Sequence, residues 1–136
     1  QPVPFDNRFY WDANTPKNID DVNEVDEDGN PVLDEDGVQI VTKGLKSNAI
    51  GQVKTTARSL LSATDWYVTR KSESGDEIPA DVSAYRAAVR NASDTIEAVI
   101  EACTTHDQFV ALYDVPVDDE GNPTGNAPIN DWPESL

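Results

Sequence analysis

The fold of this chain is decided by the stretch ARSLLSATDWYVTRKSESGDEIPADVSAYRAAVR, residues 57–90. Its apolar residues do not alternate as they would in a strand, and instead recur every three or four residues, which is the spacing of one helical face. Thr64 is a predicted N-cap, and Asp65 follows it in a first turn, where the helix dipole favours an acid. After a polar loop, Pro79 is predicted at the first position of the next helix. The stretch therefore predicts one helix before Thr64, a second after it and a third after the loop.

Helical spacing extends in both directions from this stretch. Upstream, an apolar stripe follows Ser47, which is a predicted N-cap. Downstream, Ser93 is predicted to cap a further helix, and Thr105 with Gln108 has the pattern of a capping box. Residues 45–113 are therefore predicted to form four or five short helices around one small core. The apolar stripes consist of Ile50, Val53, Ala57, Leu60, Leu61, Val82, Tyr85, Ala88, Val89, Ile96, Val99, Ile100, Cys103, Phe109, Val110 and Leu112.

The residues before the helical region favour short strands and tight turns. An aromatic run at residues 9–11 predicts a short strand or extended arm over residues 8–12. The segment DEDGNPVLDEDGV at residues 26–38 holds two Asp-Gly turns between short β-favouring pieces, and DDEGNP at residues 118–123 is a third version. This pattern is typical of a hairpin or a small meander.

Carboxylates clustered around a glycine also suit a calcium loop, whose glycine occupies the sixth position. With Gly29 in that place, four acids fall at positions one, three, five and twelve. The same alignment puts Val32 at position one for Gly37, and Pro116 there for the third copy, so turns are the favoured interpretation. A calcium-binding module stays as an alternative. Its candidate ligands are Glu24, Asp26, Asp28 and Glu35.

Charge divides the chain into three regions. Residues 1–43 carry eleven acids and three bases, residues 44–113 nine acids and seven bases, and residues 114–136 six acids and no base, for a net charge of −16. Such a chain lacks the basic patch that binds nucleic acid phosphates or an anionic membrane surface. Neither a membrane-spanning apolar run nor the pattern of a signal peptide is found in the sequence. The predicted fold class is mainly α, within α+β: a helical bundle at 44–113, an acidic β-hairpin arm at 1–43 and an acidic extended tail with a turn at 114–136.

The residue types that most often carry catalysis are scarce. Cys103 is the only cysteine and His106 the only histidine. Cys103 falls on an apolar stripe, which predicts a buried thiol, and His106 is predicted to be an exposed residue at a helix start. The carboxylates lie in turns, where solvent keeps their acidity ordinary. We therefore expect no catalytic residue, no cofactor and no metal centre, and we expect a non-enzymatic protein.

One set of residues in the helical region is less generic than the rest. It combines a Leu-Leu pair, an Asp-Trp pair and a proline followed by Tyr-Arg, and it consists of Arg58, Leu60, Leu61, Thr64, Asp65, Trp66, Pro79, Tyr85, Arg86 and Arg90.

Through these residues, the segment 45–112 resembles the carboxy-terminal domain of bacteriophage tail fibre assembly proteins and related tail assembly chaperones. Members of that family also tend to close on a Trp-Pro pair, which is matched here by Trp132 and Pro133. Between the Tyr-Arg motif and that pair, this chain has an additional helix pair and an acidic turn that the family usually lacks.

The resemblance implies a protein that acts through protein–protein contacts, either as an assembly chaperone or as a resident component of a phage tail or tail fibre. Its partners would be other tail or tail-fibre proteins, bound through basic patches or strand edges, in an assembly that can be oligomeric. Its location would be the virion tail or the host cytoplasm during assembly. An acidic DNA mimic is the remaining alternative, and the nearly neutral helical region argues against it. The candidate partner-binding residues are Phe9, Tyr10, Trp11, Arg86, Arg90 and Trp132.

The two arginines also have an internal interpretation. Arg86 and Arg90 lie four residues apart on one helical face. Either can pair with Asp65 or Glu73 inside the domain, and the internal role is slightly favoured. Most of the motif's apolar residues, including Trp66, are expected to belong to the core.

Overall fold

A computed structural model describes residues 3–136 of the chain. Its architecture is that of a small α+β protein, 44% helical, with four helices and two small antiparallel strand pairs, as the sequence predicts. The α-helices are α1 (Leu45–Ser62), α2 (Asp65–Ser74), α3 (Ala80–Glu101) and α4 (His106–Ala111), and a 3₁₀ turn spans Pro128–Asn130. The strands are β1 (Tyr10–Asp12), β2 (Thr15–Pro16), β3 (Val22–Asn23) and β4 (Val41–Thr42), paired β1 with β2 and β3 with β4.

The core lies where α1 packs against α3, with α4 closing one end. Val53 of α1 meets Ile96 and Ile100 of α3, and Phe109 of α4 fills the end of the cluster at 1% exposure. Ile96 and Ile100 are four residues apart, so both side chains project from one face of α3 and are removed from water together. Burial of this face is what holds the two long helices against each other.

The predicted helix break at Ser93 is wrong, because α3 runs without interruption over 22 residues. Ser93 lies on the buried face at 8% exposure, and its Oγ donates to Glu97 Oε2 at 3.1 Å, one turn further on. The hydroxyl is therefore satisfied inside the helix and does not need to cap a new one. Two of the helices are consequently long rather than short.

Of the predicted N-caps, Ser47 is wrong and Thr64 is right in position but makes no capping bond. Helix α1 begins at Leu45 after Gly44, two residues before Ser47. Thr64 precedes α2 as predicted, but its side chain makes no capping bond and donates instead to the Leu61 carbonyl oxygen at 3.1 Å. The capping box at α4 is confirmed on its first half, because Thr105 Oγ1 accepts from the Gln108 N–H at 3.1 Å.

Both acidic flanks return to the helical core. Phe9 is 3% exposed and lies 4.8 Å from Tyr113 and 6.1 Å from Phe109 between ring centroids. In the tail, the Ile129 N–H donates to the Leu112 carbonyl oxygen at 3.0 Å, and Trp132 packs against the core cluster. The tail is therefore not a free extension, and it covers the end of the α1–α3 pair.

Within residues 3–136, no helix combines the length and the apolar character that crossing a membrane requires.

Candidate interaction surface

The three acidic turns have one and the same hydrogen-bonding scheme. In the first, Asp26 Oδ1 accepts from the N–H groups of Asp28 and Asn30, at 2.9 and 3.0 Å. Equivalent pairs of bonds are made by the first aspartate of the other two turns, Asp34 and Asp118. The glycines at residues 29, 37 and 121 have φ of 82°, 81° and 84°, a conformation in which a glycine avoids the steric penalty of a Cβ. The prediction of turns at these sites is thus confirmed.

This turn chemistry accounts for Asp26, one of the four acids that the calcium alternative uses. Asp26 Oδ1 already accepts two backbone N–H groups, and Asp34 and Asp118 do the same in copies whose spacing fits no calcium loop. Among the residues that the structure describes, no three His, Cys, Asp or Glu side chains are grouped so as to hold a metal ion. The turns therefore require no ion to explain their sequence.

The first two turns are joined by a closed ring of backbone hydrogen bonds. The Val32 N–H donates to Glu24, the Ile40 N–H to Val32 and the Glu24 N–H to Ile40, at 3.0, 2.9 and 2.9 Å. The three residues are spaced eight apart, so each turn forms one side of a triangle. Gln39 Nε2 donates to the three carbonyl oxygens of the ring, at 2.8, 3.1 and 2.9 Å. We call residues 20–42, which contain this ring, the acidic arm.

The arm is anchored where α1 begins. The Leu45 and Lys46 N–H groups donate to the carbonyl oxygens of Asn18 and Ile19, at 2.9 and 3.0 Å. These are among the N–H groups that a helix start leaves without an internal partner. A Cβ on Gly44 would lie 2.4 Å from the Ile19 oxygen, so only glycine allows this approach. The start of α1 is therefore capped by the backbone of the segment that leads into the arm.

Asp21 completes the anchor. Its Oδ1 accepts from the Gly44 N–H at 2.8 Å, and this bond, followed by one from the Ser47 side chain, holds the pKa of the Asp21 carboxyl below its usual value. Ionised Asp21 thus stabilises the same helix start as the two backbone carbonyls.

The arm displays apolar side chains among its carboxylates. It carries nine acids and no base. Val25 is 60% exposed, Leu33 54% and Val41 42%, and each follows a residue of the backbone ring. Isolated exposed apolar residues are ordinary on protein surfaces. Their concentration in one short and highly charged segment makes the arm a candidate binding surface. The exposed apolar residues of the arm are Val22, Val25, Leu33, Val38 and Val41.

The predicted aromatic run is divided between the core and the surface. Phe9 is buried, so it is not available to a partner in this structure. Tyr10 packs at 4.9 Å on the ring of His106, whose Nε2 lies 2.8 Å from the Phe9 carbonyl oxygen. Trp11 is 64% exposed, with Lys17 Nζ 4.5 Å from its ring centroid. His106 is therefore a half-buried anchor for the N-terminal hairpin, and the prediction of an exposed histidine is wrong.

Arg86 has an internal role. Its side chain is 13% exposed, and Nη1 donates to the Leu61 carbonyl oxygen, Thr64 Oγ1 and Asp65 Oδ1, at 3.0, 2.8 and 3.0 Å. It thus binds the C-terminal end of α1 and the first residue of α2 from the neighbouring α3. Arg90 is exposed, and its proposed contact with a partner stays a prediction.

The remaining motif residues divide between core and surface. Leu60, Leu61 and Tyr85 are half-buried, and Pro79 is the exposed N-cap of α3. Trp66 is 53% exposed and stacks on Tyr67 at 3.8 Å between ring centroids, so the expectation that it belongs to the core is wrong. Cys103 is buried as predicted, and burial raises the pKa of its thiol.

Three residues that shape this surface were missed in the sequence. Gln39, Asp21 and Gly44 all act on backbone groups that are distant in sequence. Only the recurrence of an apolar residue followed by aspartate after eight residues, at 25–26 and 33–34, hints at the ring.

No family model, curated protein or solved structure matches this chain.

Proposed function

We propose that this chain is a non-enzymatic bacteriophage tail protein that binds other tail or tail-fibre proteins, and that the acidic arm is its main contact. The observation that carries the proposal is the exposure of large apolar side chains along the arm. The resemblance of residues 45–112 to tail fibre assembly proteins supplies the phage-tail context.

The rigidity of the arm supports a binding role. Its turns are braced by aspartate side chains, and its ring is closed by backbone bonds and by Gln39. A segment that is already ordered loses little conformational entropy when it binds, so more of the contact energy remains as affinity. The ring also uses the N–H groups of Glu24, Val32 and Ile40, so contact there is made by side chains and not by an added strand.

The charge of the arm defines the kind of partner. With its nine acids, the arm is attracted over long range to basic surfaces, and this attraction weakens as salt is added. Val25, Leu33 and Val41 then require apolar pockets at short range. The expected partner is therefore a tail protein whose surface has apolar pockets with Lys or Arg at their rim.

The proposal can be tested in particles and in infected cells. Chemical cross-linking with mass spectrometry is expected to join the acidic arm, or lysines next to it, to a tail or tail-fibre protein. Mass spectrometry of purified virions then separates the two forms of the proposal, because a resident component is present in the particle and a chaperone is absent. Cross-links only to proteins outside the tail would contradict both.

A set of variants tests the arm itself. Replacing Val25, Leu33 and Val41 together by serine is expected to weaken partner binding at least tenfold while leaving the thermal midpoint nearly unchanged, because these side chains are already exposed. Val117 provides the matched control: it precedes the third turn in the same way and is 57% exposed, but it lies outside the arm. If the triple variant and Val117→Ser lost the same amount of partner affinity, the role of the arm would be refuted.

A further inference from the structure

A second candidate binding site lies between the N-terminal hairpin, the base of the arm and α1. It is a groove of about 360 Å³, whose floor includes Phe9, Phe109 and Tyr113. A neighbouring cavity of about 480 Å³ shares Tyr113 with it and continues along the same face of α1 towards Trp132. Volumes in this range are usual for ligand sites. The two form one continuous groove, which we call the α1 groove.

The first half of the α1 groove is basic. Arg8, Lys17 and Lys43 are the three basic residues of the first 43 positions, and all three line it. No carboxylate lines either half, although the chain has 26 acids. A positively charged recess in a strongly acidic protein is thus built from bases that lie far apart in sequence.

Two of these three charges have no carboxylate at ion-pair distance among the described residues. Arg8 is paired with Asp6 at 2.7 Å. Within residues 3–136, Lys17 and Lys43 form no ion pair, while six of the ten bases do. The charge of Lys43 contributes to the lowered pKa of Asp21, whose Oδ1 accepts from the Gly44 N–H. Lys17 Nζ lies 4.5 Å from the Trp11 ring centroid, a contact that leaves its charge unneutralised, so this end of the groove keeps a net positive charge.

The other half of the α1 groove is uncharged and largely apolar. It is lined by Val53, Val115, Ile129 and Trp132, with no charged side chain. Between the two ends, the exposed amides of Asn48 and Gln52 lie along the groove. Amide side chains both donate and accept, which is what the N–H and C=O groups of a peptide require.

We propose that the α1 groove binds an extended peptide segment of a partner protein, with carboxylates at the Lys17–Lys43 end and apolar side chains at the Trp132 end. The two lysines attract the acidic end of the peptide, and the apolar lining near Trp132 binds its apolar end. The amides of Asn48 and Gln52 between them suit the backbone of the peptide. The open form of the groove suits a chain that continues at both ends. This site adjoins the arm at Val22, which lines the groove, but Val25, Leu33 and Val41 do not line it. The inference does not depend on the proposed tail function.

The test is a selection of random twelve-residue peptides, displayed on phage, against the full chain. Enriched peptides are expected to carry two or more acids at one end and apolar residues at the other. Synthetic labelled copies, measured by fluorescence anisotropy, are expected to bind about tenfold more weakly to the double variant Lys17→Gln/Lys43→Gln. The control Lys54→Gln/Lys71→Gln, which makes the same charge change at exposed lysines elsewhere, is expected to bind as the native chain does.

A variant at the apolar end tests the direction of the peptide. Val115 is 49% exposed, so Val115→Glu is expected to preserve the circular dichroism spectrum while weakening the same peptides several-fold. If the peptides bind both Val115→Glu and the Lys17/Lys43 double variant with unchanged affinity, they bind outside the groove, and the proposal is overturned.

Two other occupants are distinguished in the same series. If no peptide is enriched but 1-anilinonaphthalene-8-sulfonate binds in a manner that requires Lys17 and Lys43, the groove takes a small anionic amphiphile. If the chain dimerises in analytical ultracentrifugation and the Lys17/Lys43 double variant does not, it takes a second copy. Either result would overturn the peptide proposal.

Discussion

The approach of the chain to Gly44 gives a sharp test of how the arm is anchored. In Gly44→Ala, the new Cβ would lie 2.4 Å from the Ile19 oxygen and 2.5 Å from the Asp20 carbonyl group. The backbone of these residues must then move by about 1 Å to restore ordinary contact. Such a movement lengthens the bonds by which Ile19 and Asn18 cap α1.

The size of the effect follows from those bonds. Each of the two backbone hydrogen bonds contributes roughly 0.5–1.5 kcal/mol, so their loss lowers the free energy of unfolding by about 1–3 kcal/mol. Gly51 is the matched control, because it lies in the middle of α1 with nothing within 4 Å of a new Cβ. Gly51→Ala is expected to raise the free energy of unfolding by about 0.5–1 kcal/mol, since alanine is the better helix former.

Urea denaturation followed by circular dichroism measures both variants. The expected order of midpoints is Gly51→Ala, then the native chain, then Gly44→Ala, and limited proteolysis is expected to cut residues 20–42 first in Gly44→Ala. A Gly44→Ala midpoint at or above that of the native chain would refute the reasoning, because the close approach would then not exist in solution.

Three further variants test other contacts of the fold. Arg86→Ala is expected to lower the free energy of unfolding by about 1–3 kcal/mol in urea denaturation, because it leaves partly buried acceptors without their donor. The control Arg90→Ala, at an exposed arginine, is expected to change it by less than about 0.5 kcal/mol. Equal effects of the two substitutions would contradict the internal role of Arg86. Gln39→Glu places a carboxylate against three carbonyl oxygens, so proteolysis of the arm is expected to accelerate at pH 7. The rate is expected to fall again as acid protonates the new side chain. An unchanged rate of proteolysis at pH 7 would rule out the ring. Asp21→Asn tests the lowered pKa, because the stabilisation by the native carboxylate is present above the unfolded value of about 3.9 and is lost as pH falls through the lower folded value. The gap between the two thermal midpoints is therefore expected at pH 7 and is expected to narrow as pH falls below about 3.9. A gap that does not narrow would argue against it.

The helices and turns were predictable because their causes are local. An aspartate that precedes a glycine by three residues is enough to brace each turn, as in the pair Asp26 and Gly29, and the α1 stripe needs only its own spacing. The error at Ser93 arose because a serine suits both an N-cap and a helix interior that offers it a partner. Val89, Ile96 and Ile100 keep one helical face through that position, and that continuity was the stronger signal.

The contacts of the arm were not predictable because each joins residues that lie far apart in sequence. Gln39 is an ordinary polar residue until the Glu24 carbonyl is brought to it, and Gly44 is an ordinary glycine until Ile19 passes beside it. Arg86 lay on the correct face, and pairing with Asp65 could be expected from the sequence. Its bond to the Leu61 carbonyl requires the angle between α1 and α3, which no local pattern specifies.

The capping of α1 by residues 18 and 19 has a consequence for how the protein can change. The chain leaves the helical domain and returns to it at one place, because the Ile19 oxygen and the Lys46 N–H are 3.0 Å apart. Segments whose two ends meet can be exchanged with little disturbance to the rest of a domain. Residues 20–43 are thus a removable insert: a short turn could replace them, or a different loop could be grafted there. The helical domain could then be retained while the partner it recognises is exchanged.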